Sequence, residues 1–167
     1  MLPPDEYLET EVVIDIPPGA EPGLYPVRAE LAVTGGDAAG VPPSWRQCVE
    51  DVCVVTVGEP GGHILRMLAE PQPVEVAVGD VARLSMTVGT DARADLSAEA
   101  HLISPWGTWE WMWPAAAGVD LPAGGSAEVV FDVAPPPWVA PGEWWALIRV
   151  GCAGRLLYSP AVQVVVR

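Results

Sequence analysis

Residues 128–133 read EVVFDV and residues 11–16 read EVVIDI, so one six-residue pattern occurs twice in this chain. Its apolar residues partly alternate with acidic ones, which is typical of a strand with one buried face. Each copy is followed by a proline-rich connection and then by a Pro-Gly pair, Pro141-Gly142 in the second copy and Pro22-Gly23 in the first. An internal repeat of this kind indicates that one structural unit is present more than once.

The two copies stay similar beyond the Pro-Gly pair. Each continues with an apolar segment that contains an aromatic residue at its start, Tyr25–Val33 or Trp144–Val150. A last Val-rich segment then closes each copy, Val52–Val57 in the first and Val162–Val166 in the second. Short segments rich in valine and bounded by proline and glycine are typical of strands. The repeat unit is therefore predicted to consist of three strands.

The two copies differ in what precedes them. Four or five further strand candidates lie before the second copy, and none lies before the first. We therefore expect a partial sandwich at residues 1–58, a linker at 59–63 and a complete sandwich at 64–167. Three strands alone bury too little surface to offset their ordering entropy and leave an open edge. On this interpretation the chain is the C-terminal part of a longer protein, and the partial sandwich is covered by the complete one, by a second copy or by strands of the parent.

Proline and glycine punctuate the whole sequence, with 19 Pro and 17 Gly. The segments between them predict strands at Leu8–Ile16, Tyr25–Val33, Val49–Val57, Ile64–Ala69 with Val74–Val78, Ala82–Val88, Ala94–Ile103, Thr108–Trp113, Ala127–Val133, Glu143–Val150, and Leu156–Val166 interrupted at Pro160. No segment has the period of a long amphipathic helix. The predicted fold class is all-β, an antiparallel β-sandwich of the immunoglobulin or fibronectin type.

The composition excludes several functional classes. Hydrophobic residues make up 50% of the chain and charged residues 18%, while 8 Lys+Arg against 22 Asp+Glu give a formal net charge of −14. Such a chain is too apolar to be disordered, and its apolar segments are too short for a membrane span of about 20 residues. Because nucleic-acid phosphates and anionic membranes would be repelled, we expect neither as a partner.

The cysteines suggest a compartment. Cys48 and Cys53 are five residues apart, so on a regular strand they point to opposite faces and cannot form a disulfide without a bulge. With Cys152 the number is odd, which favours small buried thiols in a reducing environment over a disulfide framework. No secretion signal opens the sequence at Met1. We expect a cytoplasmic location, or a secreted one if a signal lies upstream in a longer parent chain.

Tryptophan is concentrated in one part of the chain. A strand at Thr108–Trp113 would place Trp109, Trp111 and Trp113 on one face and Glu110 on the other. One interpretation is a platform on which sugar rings stack while carboxylates accept hydroxyl protons. The other is that the indoles fill a core made mainly of small residues. The candidate carbohydrate-binding residues are Trp106, Trp109, Trp111, Trp113, Trp138, Glu110 and Glu143.

No group of residues in the sequence predicts a catalytic site. The acidic residues lie scattered, and no spacing identifies the paired carboxylates that glycoside hydrolysis needs. His63 and His101 are too few for a structural zinc site. We therefore predict no catalytic residues, no metal and no cofactor, and do not expect the chain to be an enzyme by itself. Arg28 and Arg149, at similar places in the two copies, either reach inward to a carboxylate or point outward, and the sequence favours outward.

The segment 17–27, PPGAEPGLYPV, resembles the pattern P-x-x-A-x-P-G-x-Y-x-V of immunoglobulin-like domains attached to glycoside hydrolases, the NPCBM-associated type found in α-galactosidases. Residues 101–110, 141–147 and 154–162 look like the C-terminal region of actinobacterial glycosidases, such as the α-mannosidase-like enzymes of family 38. The resemblance implies an accessory region whose catalytic domain, metal and carboxylates lie elsewhere in a parent enzyme.

Two functions follow as expectations. The first is a non-catalytic accessory module that packs on a glycosidase catalytic domain or on a second copy of the chain, and this interpretation predicts buried tryptophans. The second is a carbohydrate-binding module, which predicts a solvent-facing tryptophan platform that binds a glycan. A protein-binding immunoglobulin-like module that uses an exposed sheet edge is a third alternative.

Overall fold

The computed structural model describes residues 11–32, 47–59 and 61–167. The described part is built from strands: β1 (Gly23–Ala32), β2 (Gln47–Val57), β3 (Arg66–Ala69), β4 (Val74–Val76), β5 (Ala82–Gly89), β6 (Leu96–Ile103), β7 (Met112–Trp113), β8 (Ala116–Leu121), β9 (Ser126–Val133), β10 (Gly142–Cys152), β11 (Arg155–Tyr158) and β12 (Val162–Val166). The predicted all-β, immunoglobulin-like sandwich is confirmed. Among these residues no helix has the length and hydrophobicity needed to cross a bilayer.

Strands β3 to β12 form two sheets. One has the order β3-β5-β9-β7, and the other has the order β4-β12-β10-β6-β8, with β11 also paired to β10. The named strand pairs are antiparallel except β4 with β12, which is parallel. The segment 64–78, predicted as two consecutive strands, therefore contributes one strand to each sheet and changes sheets between Ala69 and Val74.

The core lies between these two sheets and follows the alternation of the strands. In β9 the side chains of Val129, Phe131 and Val133 point inward and are at most 2% exposed. In β10 the inward side chains are Ala146 and Ile148, and Val150 follows them at the same spacing. Each large aliphatic or aromatic side chain buried in this way stabilises the fold by about 1.5–3 kcal/mol.

The repeated hexapeptide has two different structures. In the second copy, EVVFDV lies in β9, and all six of its residues pair with β5. In the first copy, residues 11–16 lie outside any strand, and Val12 and Val13 are 74% and 77% exposed. The strand predicted at Leu8–Ile16 is thus wrong over residues 11–16, and residues 8–10 lie outside the described part. The physical reason is that the described residues supply no counterpart of β5 to pair with this segment.

The rest of the first copy is a two-stranded ribbon. β1 pairs antiparallel with β2 from Gly23 opposite Val57 to Ala32 opposite Gln47, with a bulge between Val27 and Arg28. The N-terminal part therefore has two described strands in place of the predicted three. The assignment of residues 1–58, 59–63 and 64–167 to two modules and a linker remains a prediction.

Two further strand predictions need correction. Residues 104–111 form turns, and only Met112–Trp113 of the predicted strand Thr108–Trp113 pairs in a sheet. The strand Ala116–Leu121 was not predicted, because its sequence AAGVDL has few of the branched and aromatic residues that strands favour. The predicted break at Pro160 is present, since β11 ends at Tyr158 and β12 begins at Val162.

Candidate functional site

The ribbon is fastened to the sandwich by a carboxylate. Asp51 of β2 accepts hydrogen bonds from Arg28 Nε at 3.0 Å and from the backbone N–H of Ser97 at 2.9 Å. Its side chain is 2% exposed. Since Ser97 belongs to β6, this one carboxylate connects both strands of the ribbon to the larger sheet. A buried charge is tolerated only when it is paired and hydrogen-bonded, and both conditions are met here.

Cys152, at the end of β10, is the fourth member of this cluster. Its Sγ lies 3.9 Å from Asp51 Oδ2. Burial raises the pKa of the Cys152 thiol to about 11, and the neighbouring negative charge of Asp51 adds to the effect. The hydrogen bond and the charge of Asp51 also raise the pKa of Arg28. The thiol therefore stays protonated at neutral pH, and the role of this cluster is attachment. Cys53 is exposed, contrary to the expectation of buried thiols.

A second group of contacts holds the start of the ribbon. The backbone N–H of Arg93 donates to the carbonyl of Leu24 at 2.9 Å, and Arg93 Nη2 donates to the carbonyl of Pro22 at 3.1 Å. Leu24 and Ala92 form an isolated parallel bridge and are both buried. The Pro22-Gly23 pair at the start of β1 is thus fixed to the loop between β5 and β6.

The candidate tryptophans occupy the opposite end of the sandwich. Strand β6 contacts the ribbon near its start, at Ser97, and ends at Ile103, where the loop with Trp106 and Trp109 begins. The connection 134–141, which carries Trp138, follows β9 at the same end, and the backbone N–H of Ala134 donates to the carbonyl of Trp111 at 2.7 Å. The two loops that carry the indoles are therefore directly hydrogen-bonded.

Four of the five predicted tryptophans are exposed. The exposed fractions are 85% for Trp106, 52% for Trp109, 58% for Trp113 and 62% for Trp138. Trp111 is only 2% exposed and packs edge-on against Trp144, with ring centroids 5.4 Å apart. Because residues 108–111 are turns, the predicted alignment of Trp109, Trp111 and Trp113 on one strand face is wrong.

The arrangement of the exposed rings limits what they can bind. Trp106 and Trp109 are 4.7 Å apart between centroids, and their planes are inclined by 69°. Thr108 stabilises the turn that carries these rings, because its buried hydroxyl donates to the carbonyl of Pro105 at 2.7 Å. Gly107 in the same turn has a φ of 87°, a conformation that favours glycine. Two rings at this angle cannot both stack on one flat surface. They can form a corner that receives a single sugar ring.

The two candidate carboxylates are both exposed but belong to different elements. Glu110 lies in the loop next to Trp109, and Glu143 lies at the start of β10, where it accepts a hydrogen bond from Gln163 Nε2 at 2.9 Å. In the described residues no group of three or more His, Cys, Asp or Glu side chains is placed to bind a metal ion. The carbohydrate-binding role of the seven candidate residues stays a prediction.

A groove that sequence reasoning missed lies on the outer face of the larger sheet. It has a volume of about 640 Å³ and is lined by Asp51, Ser97, Glu99, His101, Arg149 and Arg155, among others. Glu99 is hydrogen-bonded to His101. Arg149 pairs in register with His101 of β6 and with Tyr158 of β11, so it stands at the middle of this face. The repeat marked Arg149 in the sequence, but the sequence did not indicate which elements would surround it.

One family model matches the chain. Residues 1–34 match the NPCBM-associated, NEW3 domain of alpha-galactosidase, and this range includes the motif at 17–27. The match supports a glycosidase-associated domain at the N-terminal part of the chain. The likeness to α-mannosidases of family 38 remains a prediction. No curated protein matches the chain.

Several solved structures are similar at low identity. A chain in the human complex of zinc 2-glycoprotein with prolactin inducible protein has a TM-score of 0.43 at 14% identity, covering 64% of this chain and 97% of that one. A family 123 glycoside hydrolase from Clostridium perfringens has a TM-score of 0.42 at 13% identity, covering 58% of this chain and 23% of that one. A chain of the titin M10–obscurin-like 1 complex has a TM-score of 0.38 at 20% identity, covering 64% of this chain and 96% of that one. Scores this low do not bear on function.

Proposed function

We propose that this chain is a non-catalytic accessory β-sandwich region of a glycoside hydrolase, which packs against the catalytic part of the enzyme and fixes its orientation. The observation that carries the proposal is the match of residues 1–34 to a glycosidase-associated domain. The resemblance of residues 101–110, 141–147 and 154–162 to actinobacterial glycosidases favours an α-mannosidase-like parent.

The attachment of the ribbon supports an orienting role. Buried Asp51 and the Arg93 contacts fix β1 and β2 to the sandwich at two places. Residues 11–16, which lead into this ribbon, expose Val12, Val13, Ile14 and Ile16. Exposed apolar side chains that lie together in sequence are typical of a surface that packs against another protein. A partner bound there would be held in a fixed orientation to the sandwich.

The proposal is tested with the full chain as bait. The immobilised chain is incubated with a lysate of its source organism, and the retained protein is identified and assayed on chromogenic α-mannosides and α-galactosides. A retained glycosidase is expected, and Val13→Asp should abolish its retention. Val81→Asp is the matched control, because Val81 is 64% exposed on the sandwich itself. Retention of no glycosidase, or hydrolysis by the purified chain alone, would overturn the proposal.

A second candidate function is carbohydrate binding by the aromatic end, and the exposure of Trp106, Trp109, Trp113 and Trp138 favours it. The inclined Trp106–Trp109 pair fits one pyranose ring at the end of a glycan better than a flat crystalline surface. Neutral mannose-, galactose- and glucose-based oligosaccharides should then change the tryptophan emission. Trp106→Ala should remove this response, and Trp145→Ala, on β10, should retain it.

A further inference from the structure

Arg28 and Arg149 stand at similar places in the two copies of the repeat, but their strand partners differ. The residue opposite Arg28 in β2 is Asp51, and the residue opposite Arg149 in β11 is Tyr158. Arg149 Nε is buried and makes no hydrogen bond to any residue that the structure describes. A buried donor without an acceptor costs free energy, and native proteins rarely leave one unsatisfied. Arg149 Nε therefore keeps an unused donor at the position where the matching Arg28 is paired with a carboxylate.

The surroundings of Arg149 favour a negatively charged ligand. Arg155 lines the same groove and brings a second guanidinium. The two acidic side chains of the groove are already engaged, Asp51 with Arg28 and Glu99 with His101. The net charge of the chain is −14. At physiological salt, however, exposed charges further away than about 8 Å are largely screened, so the charged groups that line the groove decide what it attracts.

We propose that this groove binds the carboxylate of an acidic sugar, with the Arg149 guanidinium as its anchor. A planar guanidinium matches a carboxylate through two parallel hydrogen bonds. A small rotation of the side chain into the groove would turn Nε toward the ligand. Glu99 stands beside this position, and the carboxylate oxygen that it does not use toward His101 can accept a hydrogen bond from a ring hydroxyl. A volume of about 640 Å³ lies within the usual range of small-ligand sites.

The preference for a sugar over an acidic peptide rests on the proposed glycosidase association. The preference for a carboxylate does not, because it rests on Arg149 and Arg155. The groove is also distinct from the aromatic end, because its residues lie near the ribbon at the other part of β6 and β10. Binding of neutral glycans by the tryptophans and binding of a uronate by Arg149 can therefore succeed or fail independently.

The experiment is calorimetric titration of the full chain with trigalacturonate at about 0.15 M salt, where distant charges are screened. Galactotriose is the neutral counterpart, and pentaglutamate is the acidic peptide. Trigalacturonate is expected to bind, and the other two are not. Arg149→Gln should weaken binding about tenfold or more, as expected for loss of a charged bidentate contact. Arg83→Gln, which makes the same charge change on the other sheet, should leave the affinity unchanged.

Two further variants keep the test informative if Arg149→Gln is poorly folded. Arg149→Lys retains the charge but not the planar fork, and it should weaken binding less than Arg149→Gln. Arg155 is exposed, so Arg155→Gln should fold normally and still lower the affinity measurably. Absence of trigalacturonate binding, equal binding of galactotriose, binding of pentaglutamate alone, or full affinity in a folded Arg149→Gln variant would each overturn the proposal.

Discussion

Arg28 Nε lies 3.0 Å from Asp51 Oδ1, across the two strands of the N-terminal ribbon, and the Asp51 side chain is 2% exposed while that of Arg28 is 46% exposed. The pair is therefore asymmetric. The Arg28 side chain is partly exposed to solvent, whereas the buried Asp51 carboxylate also accepts a hydrogen bond from the backbone N–H of Ser97. Most of the energetic value of this contact lies in keeping the buried carboxylate satisfied.

Asp51→Ala should loosen the ribbon from the sandwich. The substitution leaves the Ser97 N–H without its acceptor and removes a charged hydrogen bond, which costs about 1–3 kcal/mol. Urea unfolding should show this loss of stability. Relative to the wild type, hydrogen exchange in the variant should become faster in β1 and β2 and change less in β9. Asp132→Ala is the control, since its side chain is 45% exposed and it faces Arg83 at 3.8 Å. Equal stability of the two variants would mean that Asp51 does not hold the ribbon.

Cys152 should make stability depend on alkaline pH. Its pKa rises from 9.0 to about 11 in the folded chain, mainly through burial. Between these values the unfolded thiol has lost its proton and the folded one has kept it, so the free energy of unfolding decreases as pH rises from 9 to 11. In urea unfolding, the free energy of unfolding of the wild type should decrease from pH 9 to pH 11 more than that of Cys152→Ala, and an identical pH dependence of the two would contradict the prediction.

Trp111 should behave as a core residue and Trp106 as a surface one. Trp111→Ala removes a buried indole that packs against Trp144, and a loss of about 3–5 kcal/mol is expected. Trp106→Ala removes an exposed ring and should change stability by less than about 0.5 kcal/mol. Iodide should quench the emission of the wild type more than that of Trp106→Ala. Comparable destabilisation by the two substitutions would contradict the assignment of Trp111 to the core.

The fold could be predicted where the hydrophobic alternation of a segment matches the alternate burial of its side chains. The alternation of Val129, Phe131 and Val133 predicted β9, because a period of two is enough to place one face in a core. The motif at 17–27 resembles domains attached to glycoside hydrolases, and a family model of such a domain matches residues 1–34. These inferences depend on local sequence alone.

The remaining features depend on contacts that local sequence does not encode. The strand Ala116–Leu121 is held by its pairing with β6, and its own residues do not favour a strand. The sequence of residues 108–113 alternates like that of a strand, but the structure at 104–111 is a turn. The Thr108 hydroxyl bond to Pro105 and the positive φ of Gly107 stabilise that turn. The burial of Asp51 depends on Ser97, which lies 46 residues away. No spacing rule connects two residues so far apart.

Residues 11–16 should remain free of strand pairing in the isolated chain. In β9 the matching hexapeptide pairs with β5 and is protected inside the sandwich, whereas Val12 and Val13 are exposed. Hydrogen exchange of a dilute sample should therefore be fast at residues 12–16 and slow at 129–133, because only the second segment must unfold to exchange. Raising the chain concentration is the control. Protection of residues 12–16 that grows with concentration would show that a second copy supplies the missing strand, and protection independent of concentration would contradict the exposed conformation.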